Sequence, residues 1–249
     1  MKLKEKMIDE YIQDLLVRMA HHSTAIEGNT LSQADTTSIL LHNYIPRATT
    51  EREYFEVKNY KKTMELLLDN NENELSSWLI KNYHKLIMEN IVDDNGEYKK
   101  TQNIIVGSDF ETAKPYQVPI ILKEWCDNYK FRIKNSNSNE EKIEIILDQH
   151  IKFERIHPFS DGNGRTGRIL IIDCCLRENI APIIIPKDEK GKYIALLSKE
   201  NAEEFSKWGV ELASEELNRM ETFYNNEESK KIKTKAEKTV CKNKDENES

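Results

Sequence analysis

The chain contains 249 residues, with 37 lysine and arginine residues against 44 aspartate and glutamate residues, so its formal net charge is −7. This acidic balance argues against a nucleic-acid partner, because proteins that bind nucleic acids usually carry a basic patch or stripe. The longest apolar run has five residues, from Tyr193 to Leu197, where a membrane helix needs roughly 20. The N-terminus lacks the apolar core of a secretory signal. We therefore expect a cytoplasmic protein of one domain, with no membrane partner.

Most of the chain has the periodicity of helices. Apolar residues recur near one face from Lys4 to His22, and Ser32 with Asp35 forms the S-x-x-D pattern that opens a second helix. The same spacing predicts further helices at 51–69, 74–90, 119–134, 140–156, 168–178, 189–200 and 202–224. Residues 182–186 form a short extended linker or strand. The predicted fold class is all-α.

Two segments depart from this pattern. The β-branched run Ile104-Ile-Val106 follows a turn signal that ends at Gly96 and closes at Gly107, which predicts a β-hairpin within 96–117. Residues 225–249 contain seven lysines and six acidic residues and almost nothing apolar, a composition typical of disordered chains. We therefore divide the chain into an N-terminal helical region at 1–50, a core at 51–224 and a charged disordered tail at 225–249.

Residues that carry chemistry gather between positions 157 and 168. The chain has only eight glycines, about half the usual frequency, yet Gly162, Gly164 and Gly167 fall within six residues. The stretch reads His157-Pro-Phe-Ser-Asp-Gly-Asn-Gly-Arg-Thr-Gly-Arg168 and lies between two predicted helices. Glycines at a helix start can present backbone N–H groups to an anion, which the helix dipole also favours.

The charged residues of the stretch complete a site for phosphate chemistry. Arg165 and Arg168 lie three residues apart on one helix and are placed to clamp phosphate oxygens. Asp161 offers the hard oxygen ligand that Mg²⁺ prefers, and His157 can accept a proton near pH 7. Together these groups supply the positioning, the charge neutralisation and the base that transfer of a phosphorus-centred group requires.

Other interpretations of the stretch are disfavoured. The glycine spacing, with Asp188 about 20 residues later, matches the dinucleotide-binding fingerprint, but that motif requires a preceding strand. Here apolar residues at helical spacing precede it, from Ile143 to Ile151. A P-loop is excluded because Arg168-Ile169 stands where it requires Lys followed by Ser or Thr. A helix entry with a glycine turn and surface arginines is the purely structural alternative.

The stretch resembles the signature of the Fic family, H-x-F-x-[D/E]-G-N-G-R-x-x-R, and it matches every specified position. Fic domains are all-helical bundles with one β-hairpin flap, and the resemblance is expected to cover residues 1–224. Most characterised members are protein adenylyltransferases, which transfer AMP from ATP to a Ser, Thr or Tyr hydroxyl of a target protein. The resemblance therefore implies a Mg²⁺-dependent enzyme of this kind, with ATP as its co-substrate.

The resemblance also assigns roles by motif position. His157 would deprotonate the target hydroxyl, Phe159 would anchor the loop in the core, and Asp161 would hold Mg²⁺. The nucleotide would contact Asp161, Gly162, Asn163, Gly164, Arg165, Thr166, Gly167 and Arg168. The Doc branch of the family has a lysine at the position of Gly164 and binds its nucleotide the other way round. Glycine at this position favours attack on the α-phosphorus, with pyrophosphate leaving.

A second motif lies far upstream. Ser23-Thr-Ala-Ile-Glu-Gly-Asn29 resembles the family's self-inhibitory motif, [S/T]-x-x-x-E-[G/N]. A Glu27 carboxylate held at Arg168 would compete with the γ-phosphate of ATP, so Ser23 and Glu27 are candidate inhibitory residues. The same segment is also an ordinary helix C-terminus with Gly28 in the left-handed conformation. The two interpretations are compatible, because the turn could aim Glu27.

The remaining candidates depend on the resemblance. Flap residues Ile104, Ile105, Val106 and Gly107 would border the nucleotide and pair with an extended segment of the target protein. Tyr193, Ile194 and Asn201 would hold the adenine and ribose. The other histidines show no metal-ligand spacing and are interpreted as surface or packing residues: His21, His22, His42, His84 and His150.

Several properties stay open at this point. The same site could transfer another nucleotide or remove AMP, or the chain could be a catalytically silent nucleotide-binding interaction module. Family members often associate, so a homo-oligomer is a further expectation. The family's distribution and the Lys-, Asn- and Ile-rich composition favour a bacterial source.

Overall fold

The computed structural model describes residues 3–69, 74–104 and 110–245, and these residues form helices and connections without a strand. The α-helices of this part are α1 (Asp9–Ile26), α2 (Gln33–His42), α3 (Glu51–Asp69), α4 (Ser77–Ile87), α5 (Val118–Lys134), α6 (Asn139–Ile156), α7 (Asn163–Arg177), α8 (Lys190–Ser198) and α9 (Ala202–Asp245). Short 3₁₀ helices lie at Leu3–Lys6, Pro115–Gln117 and Lys187–Glu189. The all-α prediction is confirmed.

Local sequence explains where the helices near the site begin and end. Ser32 Oγ accepts a hydrogen bond from Asp35 N at 3.1 Å, and Asp35 Oδ2 accepts one from Ser32 N at 3.0 Å, so the predicted capping box is present. Helix α1 continues to Ile26, beyond the predicted end at His22. It stops there because Gly28 has a φ of +103°.

Helix α7 is the centre of the bundle. Every residue from Arg165 to Leu176 is buried, and the helix packs against α1, α4 and α6. The sequence predicted a start near residue 168. The helix instead begins at Asn163, because Gly162 caps it with a φ of +75°. The glycine-rich stretch is therefore partly helical, and the first turn of α7 follows the loop after α6.

The predicted hairpin at 96–117 is not observed in the described residues. Residues 105–109, which include the candidates Ile105, Val106 and Gly107, lie outside them. The flanking stretches 96–104 and 110–117 contain turns, irregular backbone and a 3₁₀ helix. Their polar groups bind each other and the loop after α6, so no ladder forms between them; for example, Lys99 N–H donates to Pro158 O at 2.9 Å.

Helix α9 runs through Asp245, so it extends beyond the end predicted at residue 224, while the disorder expected for 225–249 stays a prediction. The chain has no glycine after Gly209 and no proline after Pro186. In addition, lysines and glutamates pair along the helix, as Lys231 and Glu227 do at 3.0 Å. Residues 246–249 lie outside the described part. No helix in the described ranges combines the length and apolar character needed to span a bilayer.

Candidate active site

His157 occupies the sharp turn between α6 and α7. It ends α6 in the left-handed conformation, with a φ of +49°, and its N–H donates to Phe153 O at 3.0 Å. Its ring Nδ1 lies 3.2 Å from Glu154 O. A carbonyl oxygen can only accept, so Nδ1 carries the proton and Nε2 keeps a lone pair. Burial lowers the pKa of His157, and the ring is therefore a neutral base near pH 7.

The loop after His157 is fixed to the core from both sides. Phe159 is fully buried and stacks on the His84 ring, with 3.7 Å between centroids. Asn163 Oδ1 accepts from Phe159 N and Asn163 Nδ2 donates to Phe159 O, both at 2.9 Å. The Asn163 side chain is therefore used to hold the loop, which leaves its backbone N–H for a ligand.

His84 is a supporting residue that sequence reasoning assigned to packing. Its Nε2–H donates to Asp161 O at 3.0 Å, and its Nδ1 accepts from Gly96 N at 2.8 Å. Burial lowers the pKa of His84 to about 4, so the ring is neutral and its tautomer is set by these two bonds. A single histidine without a motif gives no sequence signal for such a role.

Glu27 lies against the first turn of α7. A Cβ built on Gly164 would be 2.5 Å from Glu27 Oε1, so the side chain that glycine lacks would occupy the carboxylate's place. The N–H groups in the first turn of a helix have no partner within it and favour an anion. The carboxylate of Glu27 thus lies at the position that the sequence predicted for a phosphate.

Arg168 holds the motif of α1. Its Nη2 donates to Glu27 Oε1 at 2.6 Å and to Ser23 O at 3.0 Å, and its Nε donates to Ser23 Oγ at 2.8 Å. Arg168 is buried, with 5% relative exposure. Burial by itself raises the pKa of Glu27, but the charge and hydrogen bond of Arg168 outweigh it and lower that pKa. Glu27 is therefore a carboxylate at neutral pH.

Arg165 faces a different set of partners from Arg168. It is fully buried, donates to Glu56 Oε1 at 2.9 Å and lies 3.3 Å from Asp161 Oδ1. Arg52 donates to Asp161 Oδ2 at 2.9 Å, and the Gly162 N–H donates to Asp161 Oδ1 at 2.6 Å. Burial alone raises the pKa of Asp161, whereas the charge of Arg165 and these bonds lower it, with a net decrease. The two arginines consequently do not form one clamp in this structure.

A cavity of about 320 Å³ opens beside His157. Its walls include Glu27, Glu154, Gly164, Arg168, Tyr193 and Ile194. Tyr193 is fully buried and its hydroxyl lies 2.8 Å from His150 Nε2, so it contributes part of the wall, while Ile194 is half-exposed. Asn201 is not part of this wall: its Oδ1 accepts from Glu204 N at 3.1 Å and its Nδ2 donates to Glu204 Oε2 at 2.9 Å. It caps α9, a role that its place one residue before the helix explains.

Comparisons with known proteins find relatives of this chain. The family model described as Fic/DOC family matches residues 74–175. The chain is 30% identical over 185 residues to protein adenylyltransferase fic-1 of Caenorhabditis elegans, covering 73% of this chain and 36% of the relative. It is 28% identical over 208 residues to protein adenylyltransferase Fic of Aedes aegypti, covering 81% and 39%. Residues 74–175 therefore form a Fic/DOC-family domain.

Solved structures of Fic proteins share the fold. A Fic-domain-containing signalling protein from Bacteroides thetaiotaomicron superposes with a TM-score of 0.79 at 21% identity, covering 90% of this chain and 95% of that one. A segment of Fic-1 from C. elegans gives a TM-score of 0.67 at 24% identity, covering 92% and 66%. The chain spans little more than a third of the length of the curated relatives it matches.

This Fic domain thus brings together many, but not all, of the residues predicted from sequence. His157, Gly164, Arg168 and Glu27 meet at one cavity. Thr166 is fully buried, and a Cβ on Gly167 would lie 2.5 Å from Glu154 Oε1. Both residues therefore contribute to the packing of α7 against its neighbours. Ile104 is highly exposed and borders a separate cavity.

Proposed function

We propose that the chain is a protein adenylyltransferase, which transfers AMP from ATP to a Ser, Thr or Tyr hydroxyl of a target protein and to itself, and that Glu27 holds it inactive. One observation carries this proposal. The imidazole of His157, whose Nδ1 bonds to Glu154 O, lines a cavity whose arginine, Arg168, is already bonded to the carboxylate of Glu27. The names of the relatives support the same reaction class.

The chemistry assigned to this site begins at His157. Nε2 accepts the proton of the target hydroxyl while the hydroxyl oxygen forms a bond to the α-phosphorus. The bond between the α-phosphorus and the bridging oxygen breaks, and pyrophosphate leaves with its electron pair. The first-turn amides of α7 and the guanidinium of Arg168 neutralise the phosphate oxygens. Glycine at position 164 leaves the α-phosphate room to approach these amides.

Mg²⁺ fits the donor set around Asp161. The described residues contain no group of three or more metal-ligating side chains, and Mg²⁺ typically binds through one or two carboxylates and the phosphates of a nucleotide. Asp161 is ionised and lies beside the anion site, so it is the residue we assign to the metal. The ion would supply charge neutralisation on the phosphates.

Inhibition in this proposal is a competition between two anions. A triphosphate that uses the first turn of α7 and Arg168 must displace the Glu27 carboxylate, which bonds to Arg168 at 2.6 Å. The adenine would occupy the cavity near Tyr193 and Ile194, and Asn201 would contact it only after releasing Glu204. The target protein would dock as an extended segment along residues 104–107. Self-association is a further proposal.

Intact-mass measurement tests the proposal without knowledge of the target. The Glu27→Gly variant, incubated with Mg²⁺ and ATP, GTP, UTP or CTP in turn, is expected to gain the mass of AMP from ATP. The unmodified chain gains at least ten-fold less, and Glu27→Gln, which keeps a hydrogen-bond acceptor but no charge, lies between them. Adding His157→Ala to Glu27→Gly abolishes the gain.

The other outcomes separate the alternatives. A mass gain from a different nucleotide would indicate another nucleotidyl transfer. Thermal stabilisation by ATP without a mass gain would indicate a silent nucleotide-binding module. Loss of AMP from an adenylylated protein, without transfer, would indicate the reverse activity.

A further inference from the structure

Four polar residues close the base of the segment that contains residues 105–109. We call Lys99, Gln102, Asn103 and Thr112 the neck. Gln102 Nε2 donates to Thr112 O at 2.9 Å and to Thr112 Oγ1 at 3.0 Å, and Thr112 Oγ1 donates to Asn103 O at 3.0 Å. The two ends of the segment are therefore tied to each other by side chains rather than by a strand ladder.

The neck is also bound to the loop that carries His157. The backbone N–H of Lys99 donates to Pro158 O at 2.9 Å, and Asn103 Nδ2 donates to Phe159 O at 2.8 Å. Lys99 Nζ donates to Ile156 O at 3.4 Å. These carbonyls lie on both sides of His157. The backbone that sets the direction of the imidazole is thus held by the neck.

Lys99 is unusual because it is a buried ammonium. Its relative exposure is 3%, and Nζ donates to Asn103 Oδ1 at 2.7 Å and to Thr112 Oγ1 at 3.0 Å. Within the described ranges, no carboxylate lies within 4.0 Å of Nζ. Burial lowers the pKa of Lys99 to about 8. A buried cation held by neutral oxygens is unfavourable for stability, which points to a role for the charge itself.

The charge of Lys99 acts on His157. Burial makes the largest contribution to the lowered pKa of His157, and Lys99 lowers it further, whereas Glu27 and Asp161 raise it. These groups come from the neck, from α1 and from the loop before α7. Lys99 therefore favours the unprotonated ring.

We propose that Lys99 is a positioning residue for the transfer reaction: its ammonium clamps the neck to the carbonyls flanking His157 and keeps that ring in the form that accepts a proton. This inference rests on the proposed function, because it takes His157 as the base. It assigns to a single lysine both the geometry and the protonation state of that base.

The test uses the Glu27→Gly chain and adds Lys99→Met. The first readout is the titration of His157 followed by NMR of its Cε1–H, assigned by comparison with His157→Ala. We expect the pKa of His157 to rise in Lys99→Met, because a nearby cation is lost. We also expect AMP transfer at pH 6.5 to fall at least ten-fold, since a base that is misplaced or protonated loses rate steeply.

Three further variants separate the charge from the hydrogen bonds. Lys100→Met is the matched control, because Lys100 is the exposed neighbour, with 78% side-chain exposure, and it should change neither readout. Lys99→Arg keeps the charge and should preserve the titration and restore most of the transfer. Thr112→Val keeps the charge but removes an acceptor, so transfer should fall while the titration of His157 is unchanged.

The results that overturn the proposal differ from those that overturn the proposed function. The same titration of His157 with and without Lys99→Met, in a folded protein with a cooperative melting transition, would refute the role of the charge. Equal losses of transfer in Lys99→Met and Lys100→Met would refute the clamp. If the Glu27→Gly chain transfers no nucleotide, the proposed function fails, yet the NMR titration still reports on Lys99.

Discussion

The glycines of this chain show how closely its site is packed at the level of single residues. A Cβ on Gly162 would lie 2.8 Å from Met88 Cγ, and the residue has a φ of +75°. A Cβ built on Gly191, in contrast, meets no atom within 4 Å apart from those of its chain neighbours and its own helix backbone. The two positions therefore form a matched pair for substitution by alanine.

We predict that Gly162→Ala lowers the free energy of unfolding by about 2 kcal/mol or more, from the left-handed backbone and the contact with Met88. Gly191→Ala is expected to be neutral or to stabilise by up to about 1 kcal/mol, because alanine favours a helix. Urea unfolding followed by circular dichroism measures both. A Gly162→Ala chain as stable as Gly191→Ala would show that the turn before α7 is not constrained as described.

At the level of single residues, the sequence motifs predicted several of the residues that the fold brings together, although Arg165 and Arg168 of the same motif have separate partners. The spacing of the stretch at 157–168 was enough to place His157, Gly164 and Arg168 in one site, and the upstream motif placed Glu27 beside them. His84 and Lys99 were not found, because each is a lone residue whose role appears only after α4, the neck and the loop pack together. Asn201 was expected in the nucleotide cavity, but its side chain bonds to Glu204 in the first turn of α9.

At the level of elements, helix existence was easier to predict than helix ends. The helix at 51–69 has the predicted bounds as α3, whereas α7 starts five residues earlier than predicted. The glycines were expected at the start of this helix, and Gly164 and Gly167 lie in its first turns, where a larger side chain would meet Glu27 or Glu154. Long-range packing, which periodicity does not record, decided these positions.

The segment at 96–117 is a second case in which a local sequence pattern does not record long-range contacts. Its β-branched run and flanking turns satisfy the local pattern of a hairpin, but the described neck residues bind the loop of His157, and the hairpin stays a prediction because residues 105–109 lie outside the described part. In α9, lysines and glutamates that gave a disordered composition also form favourable pairs along a helix. Composition alone does not separate these two states.

Buried histidines make the stability of the whole molecule sensitive to acid. Burial lowers the pKa of His84 to about 4 and that of His150 to about 3, whereas the unfolded chain binds these protons near pH 6.5. Their contribution is therefore complete above pH 6.5 and is lost as the pH falls toward 4. Glu154 acts oppositely, because burial raises its pKa to about 7.

We predict that the free energy of unfolding decreases as the pH is lowered from 6.5 to 5, since the histidines together outweigh Glu154. The decrease should be steeper in Glu154→Gln, which removes the opposing proton uptake by the folded state. Urea unfolding at three pH values in this range measures both slopes. A flat profile in the unmodified chain, or equal slopes in the two chains, would contradict this assignment of neutral buried groups.

The bundle as a whole places an N-terminal helix against the loop of His157 and the start of α7, more than a hundred residues away. Sequence motifs identified both partners, while only the folded chain shows that Glu27 and Arg168 meet at 2.6 Å. The central claim is that this contact blocks a site otherwise ready for adenylyl transfer.

The most direct measurement of that claim compares ATP labelled at the α-phosphorus with ATP labelled at the γ-phosphorus. The Glu27→Gly chain should incorporate the α label covalently and not the γ label, and the unmodified chain should incorporate at least ten-fold less. Incorporation of the γ label would indicate phosphoryl transfer instead. Equal incorporation of the α label with and without Glu27 would show that the contact with Arg168 does not restrain the enzyme.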